Sequence, residues 1–354
     1  MSPTAPNPRV APRRRHAGFT LIEVLVALAI GVVILLALTI LFARNTGNQS
    51  ELERTIRQLE GARFSLDTLA EDVMHAGFYS DFNPDTLPDF DPADDYTTPD
   101  PCAVATANLG WDTSVSPVQM PVPIQGIAAA DAVACLANRR ANTEALVVRH
   151  AETGDTIPIA TGNNTNLYLQ ISRCNATLEP QRVLAAPVPG ANPEDTFKLR
   201  RCDTDGSVIG VNDAVRRLLQ RTYYVATCND CVAGDGIPTL KRVEMVDGAL
   251  RTTAIAEGVE NLQVEYGLDT DDDGRPDDFV TVDGVDGVGD NRWDNVVAVR
   301  LHLLTRNTQA TPGYTDTRTY QLGPDVSVAA PNDGFKRTLM TSTVRLYNVG
   351  GRRE

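Results

Sequence analysis

The sequence predicts an α+β fold: one long N-terminal α-helix, half membrane-type and half amphipathic, packed on an antiparallel β-sheet head. Three observations predict it. The 25 residues from Phe19 to Ala43 are apolar with a single charge, Glu23. After Ala43, apolar residues recur at three- and four-residue spacing as far as Val73. Beyond residue 220, short alternating runs are separated by turn residues, which reads as a series of antiparallel strands.

Residues 1–18 read as a removable leader. Pro3, Pro6, Pro8 and Pro12 keep it unstructured, and Arg9, Arg13, Arg14 and Arg15 make it basic. Residues 19–43 are long enough to span a bilayer as a helix, about 37 Å at 1.5 Å per residue. The arginines on one side predict a cytoplasmic N-terminus and an exported remainder. A secretory signal peptide is cut after its apolar region, whereas here the small residue Gly18 stands before it. A carboxylate such as Glu23 costs roughly 2.5–3.5 kcal/mol at a membrane helix centre and less near the interface. A free α-amine on Phe19 of a neighbouring subunit would offset it, were the chain cut between Gly18 and Phe19.

Gly18-Phe19-Thr20-Leu21-Ile22-Glu23-Val24-Leu25-Val26-Ala27-Leu28 resembles the processing motif of type IV prepilins and pseudopilins. The resemblance implies cleavage by a prepilin peptidase after Gly18 and N-methylation of Phe19. It implies also that Glu23 pairs with such an amine during filament assembly.

Residues 44–77 form the amphipathic half of the helix. Leu52, Ile56, Leu59, Leu66, Ala70 and Val73 make the stripe, with Arg63 in it, and Glu51, Glu53, Arg54, Arg57, Glu60, Asp67, Glu71 and Asp72 fill much of the rest. Gly47 and Gly61 are weak points, each costing about 1 kcal/mol relative to Ala. Gly47 marks either a bend or a tolerated surface glycine. Ala76-Gly77 is the expected stop. The segment Gly61–Phe78 resembles the helix end of PilW-type minor pilins, which narrows the family.

Residues 78–354 are the expected head, β-rich, with a loop-rich insertion at about 81–220. Asp81–Pro101 holds seven Asp and five Pro and reads as a surface loop. Strands are expected at Ala145–Arg149 and Leu167–Ile171; 176–220 is ambiguous, with Asp213–Gln220 reading as a short helix or as part of a strand. Thr222–Thr227 and Thr239–Met245 form a hairpin, and Val259–Tyr266, Val296–Leu304, Arg318–Leu322 and Leu339–Leu346 complete the set. The order of these last strands also resembles the C-terminal region of PilW-type proteins. The implied fold is type IV pilin-like.

Cys102, Cys135, Cys174, Cys202, Cys228 and Cys231 all lie on the exported side, where disulfides are the default. Six cysteines allow 15 pairings, and the expectation is nearest neighbours: Cys102–Cys135, Cys174–Cys202 and Cys228–Cys231. The last pair is a C-x-x-C, a spacing also used in redox and zinc sites. Asn229 and Asp230 between its cysteines, and Gly234, Asp235, Gly236 and Pro238 after them, are turn chemistry rather than an activating helix start.

Asp269-Thr270-Asp271-Asp272-Asp273-Gly274-Arg275-Pro276-Asp277-Asp278 has the D-x-D-x-D-G order of a calcium loop. Asp269, Asp271 and Asp273 offer carboxylates, Arg275 its carbonyl, and Asp277 a direct or water-mediated contact. The twelfth position holds Val280 where an EF-hand has Glu, so the expectation is a weak structural calcium site in a turn. A second acidic turn, Asp283, Asp286 and Asp290, has less regular spacing.

The formal net charge is −14, and removing the leader with its four arginines and no acids takes it to −18. That argues against a dominant nucleic-acid role. Enzyme motifs are missing from the sequence, and His75, His150 and His302 are far apart in it, so no catalytic role is expected. The resemblance implies a minor pilin that joins other minor pilins in the inner membrane, primes assembly of the major pilin and sits at the filament tip. Its partners would be the prepilin peptidase, the major and minor pilins and a tip adhesin. A minor pseudopilin of type II secretion shares the N-terminal motif, and a surface adhesin is the other alternative.

Overall fold

The computed structural model describes residues 18–80, 98–105, 108–111, 120–154, 165–172, 174, 181–203, 206–285 and 293–353. Leader residues 1–17, most of the Asp81–Pro101 loop, and Asp286 and Asp290 lie outside them. The chain forms two compact units, residues 1–53 and 54–354.

Helix α1 runs Leu21–His75 and is helical through Gly47 and Gly61. Its start is a capping box. The backbone N–H and the hydroxyl of Thr20 both donate to Glu23 Oε2 at 2.8 Å. In the first unit, Leu21–Phe42 has a mean hydropathy of 3.2 and is long and apolar enough to cross a membrane. Its apolar side chains are exposed all round.

In the second unit α1 ends where the sequence predicts. Gly77 takes φ +75°, and a Cβ there would lie 3.1 Å from Pro123. The last carbonyls of the helix are met from far along the chain. Asn348 Nδ2 donates to Met74 and Ala76 at 3.3 Å, and Arg352 Nη2 donates to Gly77 at 2.5 Å.

The buried face of α1 differs from the expected stripe. Gln58, Ala62, Ser65, Leu69, Asp72, Val73 and Ala76 are buried, whereas Leu52 is 61% and Ile56 44% exposed, and Arg63 is exposed. Size misled the stripe: small and polar residues let the helix approach the sheet closely and bond to it.

The strands are β1 (Ile124–Ile127), β2 (Ala145–Ala151), β3 (Tyr168–Ser172), β4 (Gln181–Ala185), β5 (Arg200–Cys202), β6 (Val208–Asn212) and β7 (Val215–Ala226). After them come β8 (Thr239–Val246), β9 (Ala249–Glu257), β10 (Val259–Leu268), β11 (Asp278–Val280), β12 (Val296–Arg306), β13 (Tyr320–Leu322), β14 (Val326–Val328) and β15 (Arg337–Arg345). Short helices α2 (Pro193–Thr196), α3 (Val282–Val285) and α4 (Tyr347–Arg353) stand among them.

Every pairing is antiparallel, but the head has more than one sheet. A seven-stranded sheet runs β1-β2-β7-β3-β4, with β8 on β7 and β9 on β8, and a four-stranded sheet runs β11-β10-β12-β15. Two small hairpins, β5-β6 and β13-β14, stand apart. The stretch expected to be a loop-rich insertion thus supplies β1 to β6 and the start of β7. The ambiguous Asp213–Gln220 segment is strand from Val215 onward.

Leu69 and Val73 of α1, with Ala76 just past its end, share one apolar cluster with residues of both large sheets. The sheets meet where β1 lies against Tyr266 of β10 and Trp293 just before β12, whose rings stack edge-on at 4.8 Å. Gly126 of β1 allows that meeting, since a Cβ there would fall 2.4 Å from the Tyr266 hydroxyl.

Candidate functional site

Gly18 and Phe19 precede the first helical residue, and Phe19 is 87% exposed. The Gly18–Phe19 bond therefore lies in non-helical chain immediately before the capping box. The box is a role for Glu23 that the sequence reading missed, although Thr20-x-x-Glu23 is its signature.

The C-x-x-C occupies the turn between β7 and β8, as its residues predict. All six cysteines are in disulfides, paired Cys102–Cys135, Cys174–Cys202 and Cys228–Cys231. Asp235 holds the C-x-x-C turn by accepting the N–H groups of Asn229, Asp230 and Ile237 at 2.8–3.0 Å. Those same bonds keep its carboxyl below the usual range.

The acidic loop links β10 to β11. Ligand oxygens of Asp269, Asp271 and Asp273 lie within 4.8 Å of one another. Gly274 takes φ +80° to make the turn. Asp277 is not in this group: its Oδ2 accepts from the Thr270 N–H at 2.8 Å and the Thr270 hydroxyl at 2.6 Å, which lower its pKa. Three carboxylates thus stand close enough to share one hard cation, and Asp277 is turned to Thr270 instead. The repulsion among them is partly met from α4. Arg353 Nη1 lies 3.2 Å from Asp269 and 3.1 Å from Asp272.

The joint between α1 and the seven-stranded sheet centres on Asp72, read from sequence as a solvated charge. Its Oδ1 pairs with Arg221 at 2.5 Å and its Oδ2 accepts from the Tyr223 hydroxyl at 2.5 Å. Burial raises its pKa, but His150, Arg221 and Tyr223 outweigh burial and hold the carboxyl at about 2. His150 Nε2 stands 3.6 Å away, too far for a good hydrogen bond, so the geometry gives most of the effect to Arg221 and Tyr223. His75 and His150, distant in sequence, come within 5.9 Å between ring centres. His302 is buried separately, 2.7 Å from Glu265. These histidines pack and bond within the head.

A capped apolar helix is followed in sequence by a disulfide-stapled antiparallel head. Comparison with known families agrees at both ends of the chain. The prokaryotic N-terminal methylation motif matches residues 13–39, and the family Type IV Pilus-assembly protein W (PilW) matches residues 222–348. The recognisable part of the chain is that of a type IV pilus minor pilin of PilW type. Residues 40–221 lie outside both matches. Among solved structures, a type IV-like pilin from Thermus thermophilus aligns with 13% identity and a TM-score of 0.26, covering 58% of this chain and 78% of that one. No curated protein matches the chain. The methylation motif and the apolar helix fit membrane anchoring, processing by a prepilin peptidase and interaction with other pilins.

Proposed function

We propose that this minor pilin primes assembly of a type IV pilus from the inner membrane and then sits at the filament tip. The observation that carries the reading is the pairing of a prepilin processing motif at residues 13–39 with a PilW match at residues 222–348. In this reading the helix crosses the membrane once, the leader is cytoplasmic and the head is periplasmic. A prepilin peptidase cuts after Gly18, and Phe19 is N-methylated. Glu23 then exchanges its bond to Thr20 for the amine of a neighbouring subunit while apolar helices bundle. The chain is the substrate of a peptidase and a structural subunit, not an enzyme, and its head meets other minor pilins, the major pilin and a tip adhesin.

The test is the amount of major pilin in sheared surface filaments. Deletion should remove it and complementation restore it, with Glu23→Ala failing to complement. Unchanged filaments on deletion would sink the priming role, and lost protein secretion in the same strain would favour the type II alternative.

Calcium belongs to the same proposal. Asp269, Asp271 and Asp273, with the Arg275 carbonyl, would hold it and stiffen the β10–β11 turn. Native mass spectrometry of the full chain in detergent should show a calcium adduct, and calcium should raise the melting temperature. Asp271→Asn with Asp273→Asn should abolish both effects. No adduct and no shift would remove calcium from the reading.

A further inference from the structure

A cleft of about 900 Å³ opens in the second unit between β10, α3, the 128–130 and 140–142 segments and the β13–β14 hairpin. Its charged lining is Arg140, Glu144, Glu260, Asp283, Asp325, Asp333 and Arg337. Both bases are already engaged. Arg337 bonds to Glu260 at 2.5 Å and to both Asp333 oxygens at 2.7 Å, and Arg140 reaches Glu260 at 3.1 Å. That leaves Glu144, Asp283 and Asp325 in no close ion pair among the described residues.

Glu144 is the informative member. It is only 7% exposed, yet it lines the cleft. Its Oε2 accepts the Val264 N–H at 2.7 Å, and its other oxygen receives no hydrogen bond among the described residues. The neighbouring cation, Arg139, donates instead to the carbonyls of Ile127, Ala128, Asp131 and Thr143. That oxygen is open to the cleft and offers an acceptor to a charged donor entering it. Val282, Leu304, Val326 and Val328 line the same cleft and suit a methylene stem.

We propose that this cleft receives a lysine or arginine side chain from a partner polypeptide, its stem against Leu304, Val326 and Val328 and its charged end on Glu144. Asp283 and Asp325 at the exposed rim steer it in. The volume exceeds one side chain, which favours a peptide segment over a lone cation, and the net charge of −14 favours a basic partner. The inference does not depend on the priming role.

The test uses the full chain in detergent with ¹³C-methyl-labelled Leu and Val. It is titrated with acetyl-Leu-Arg-Leu-amide, with acetyl-Leu-Gln-Leu-amide and with spermidine. The arginine peptide should shift the Leu304, Val326 and Val328 methyls and saturate, and the glutamine peptide should bind at least about tenfold more weakly. Glu144→Gln keeps the acceptor for Val264 and should remove that preference, while Asp325→Asn should weaken it in part. Equal binding of the two peptides, an unchanged preference in Glu144→Gln, or shifts confined to other methyls would overturn the proposal. Spermidine binding as tightly as the arginine peptide would overturn the polypeptide partner.

Discussion

Asp72 and Glu144 are both buried carboxylates of the head, at 5% and 7% exposure, and their surroundings treat them in opposite ways. At the joint of α1 with the seven-stranded sheet, Asp72 has a guanidinium and a phenol within 2.5 Å and is held ionised at about 2. Beside the cleft, burial pushes Glu144 up to about 7, Asp283 adds to that, and the Val264 N–H and Arg139 oppose it. The difference teaches that burial alone does not set the state of a carboxylate. The first is a finished joint, and the second is left with acceptor capacity.

The largest effect should come from breaking the joint. Asp72→Asn takes the carboxylate from Arg221, which keeps Glu244 at 3.1 Å, and from the Tyr223 hydroxyl, and should cost about 3 kcal/mol, read by denaturant unfolding of the full chain in detergent through tryptophan fluorescence. A loss within 0.5 kcal/mol would mean the pair is worth little. The pH dependence sharpens the contrast. Asp72 has a depressed pKa, so its contribution is present above about 3.8 and lost as pH falls through about 2.

Glu144 has a raised pKa, so the contribution of its protonated form is complete below about 4.5 and is lost as pH rises through about 7. Glu144→Gln, neutral throughout, should therefore be more stable than the parent at pH 8, by about 1–3 kcal/mol, and equal to it near pH 4. Destabilisation at pH 8 would break the comparison. The smallest effect is expected from His150→Gln, under about 1 kcal/mol, because the ring stands 3.6 Å from Asp72. A larger loss would return weight to that contact.

The local features of this fold were legible in the residues. The apolar run, the stop at Gly77, the β7–β8 hairpin and strands β10, β12 and β15 follow from periodicity and turn chemistry acting over a few residues. What was not legible depends on partners far away. Asp72 looks like any surface acid until Arg221 and Tyr223 arrive 149 and 151 residues later. Strand β10 looks half-exposed by its alternation, but Glu260, Gln263 and Glu265 are buried as well. Arg337 and Arg140 cover Glu260, and His302 and Arg300 cover Glu265. The acidic loop was legible as a cluster because its three aspartates share one turn. That Asp277 would turn to Thr270, and that Arg353 would lean on Asp269, was not written in that spacing. The cleft belongs to the same class, since its walls come from segments more than 100 residues apart.

The helix end described above has a consequence for synthesis. The carbonyls of Met74, Ala76 and Gly77 wait for Asn348 and Arg352, which emerge from the ribosome more than 270 residues later. The end of this helix is thus met by residues made long after it. A translation product that stops before residue 348 leaves these carbonyls without the two side chains that meet them, so the helix waits on the far end of the head for its last hydrogen bonds.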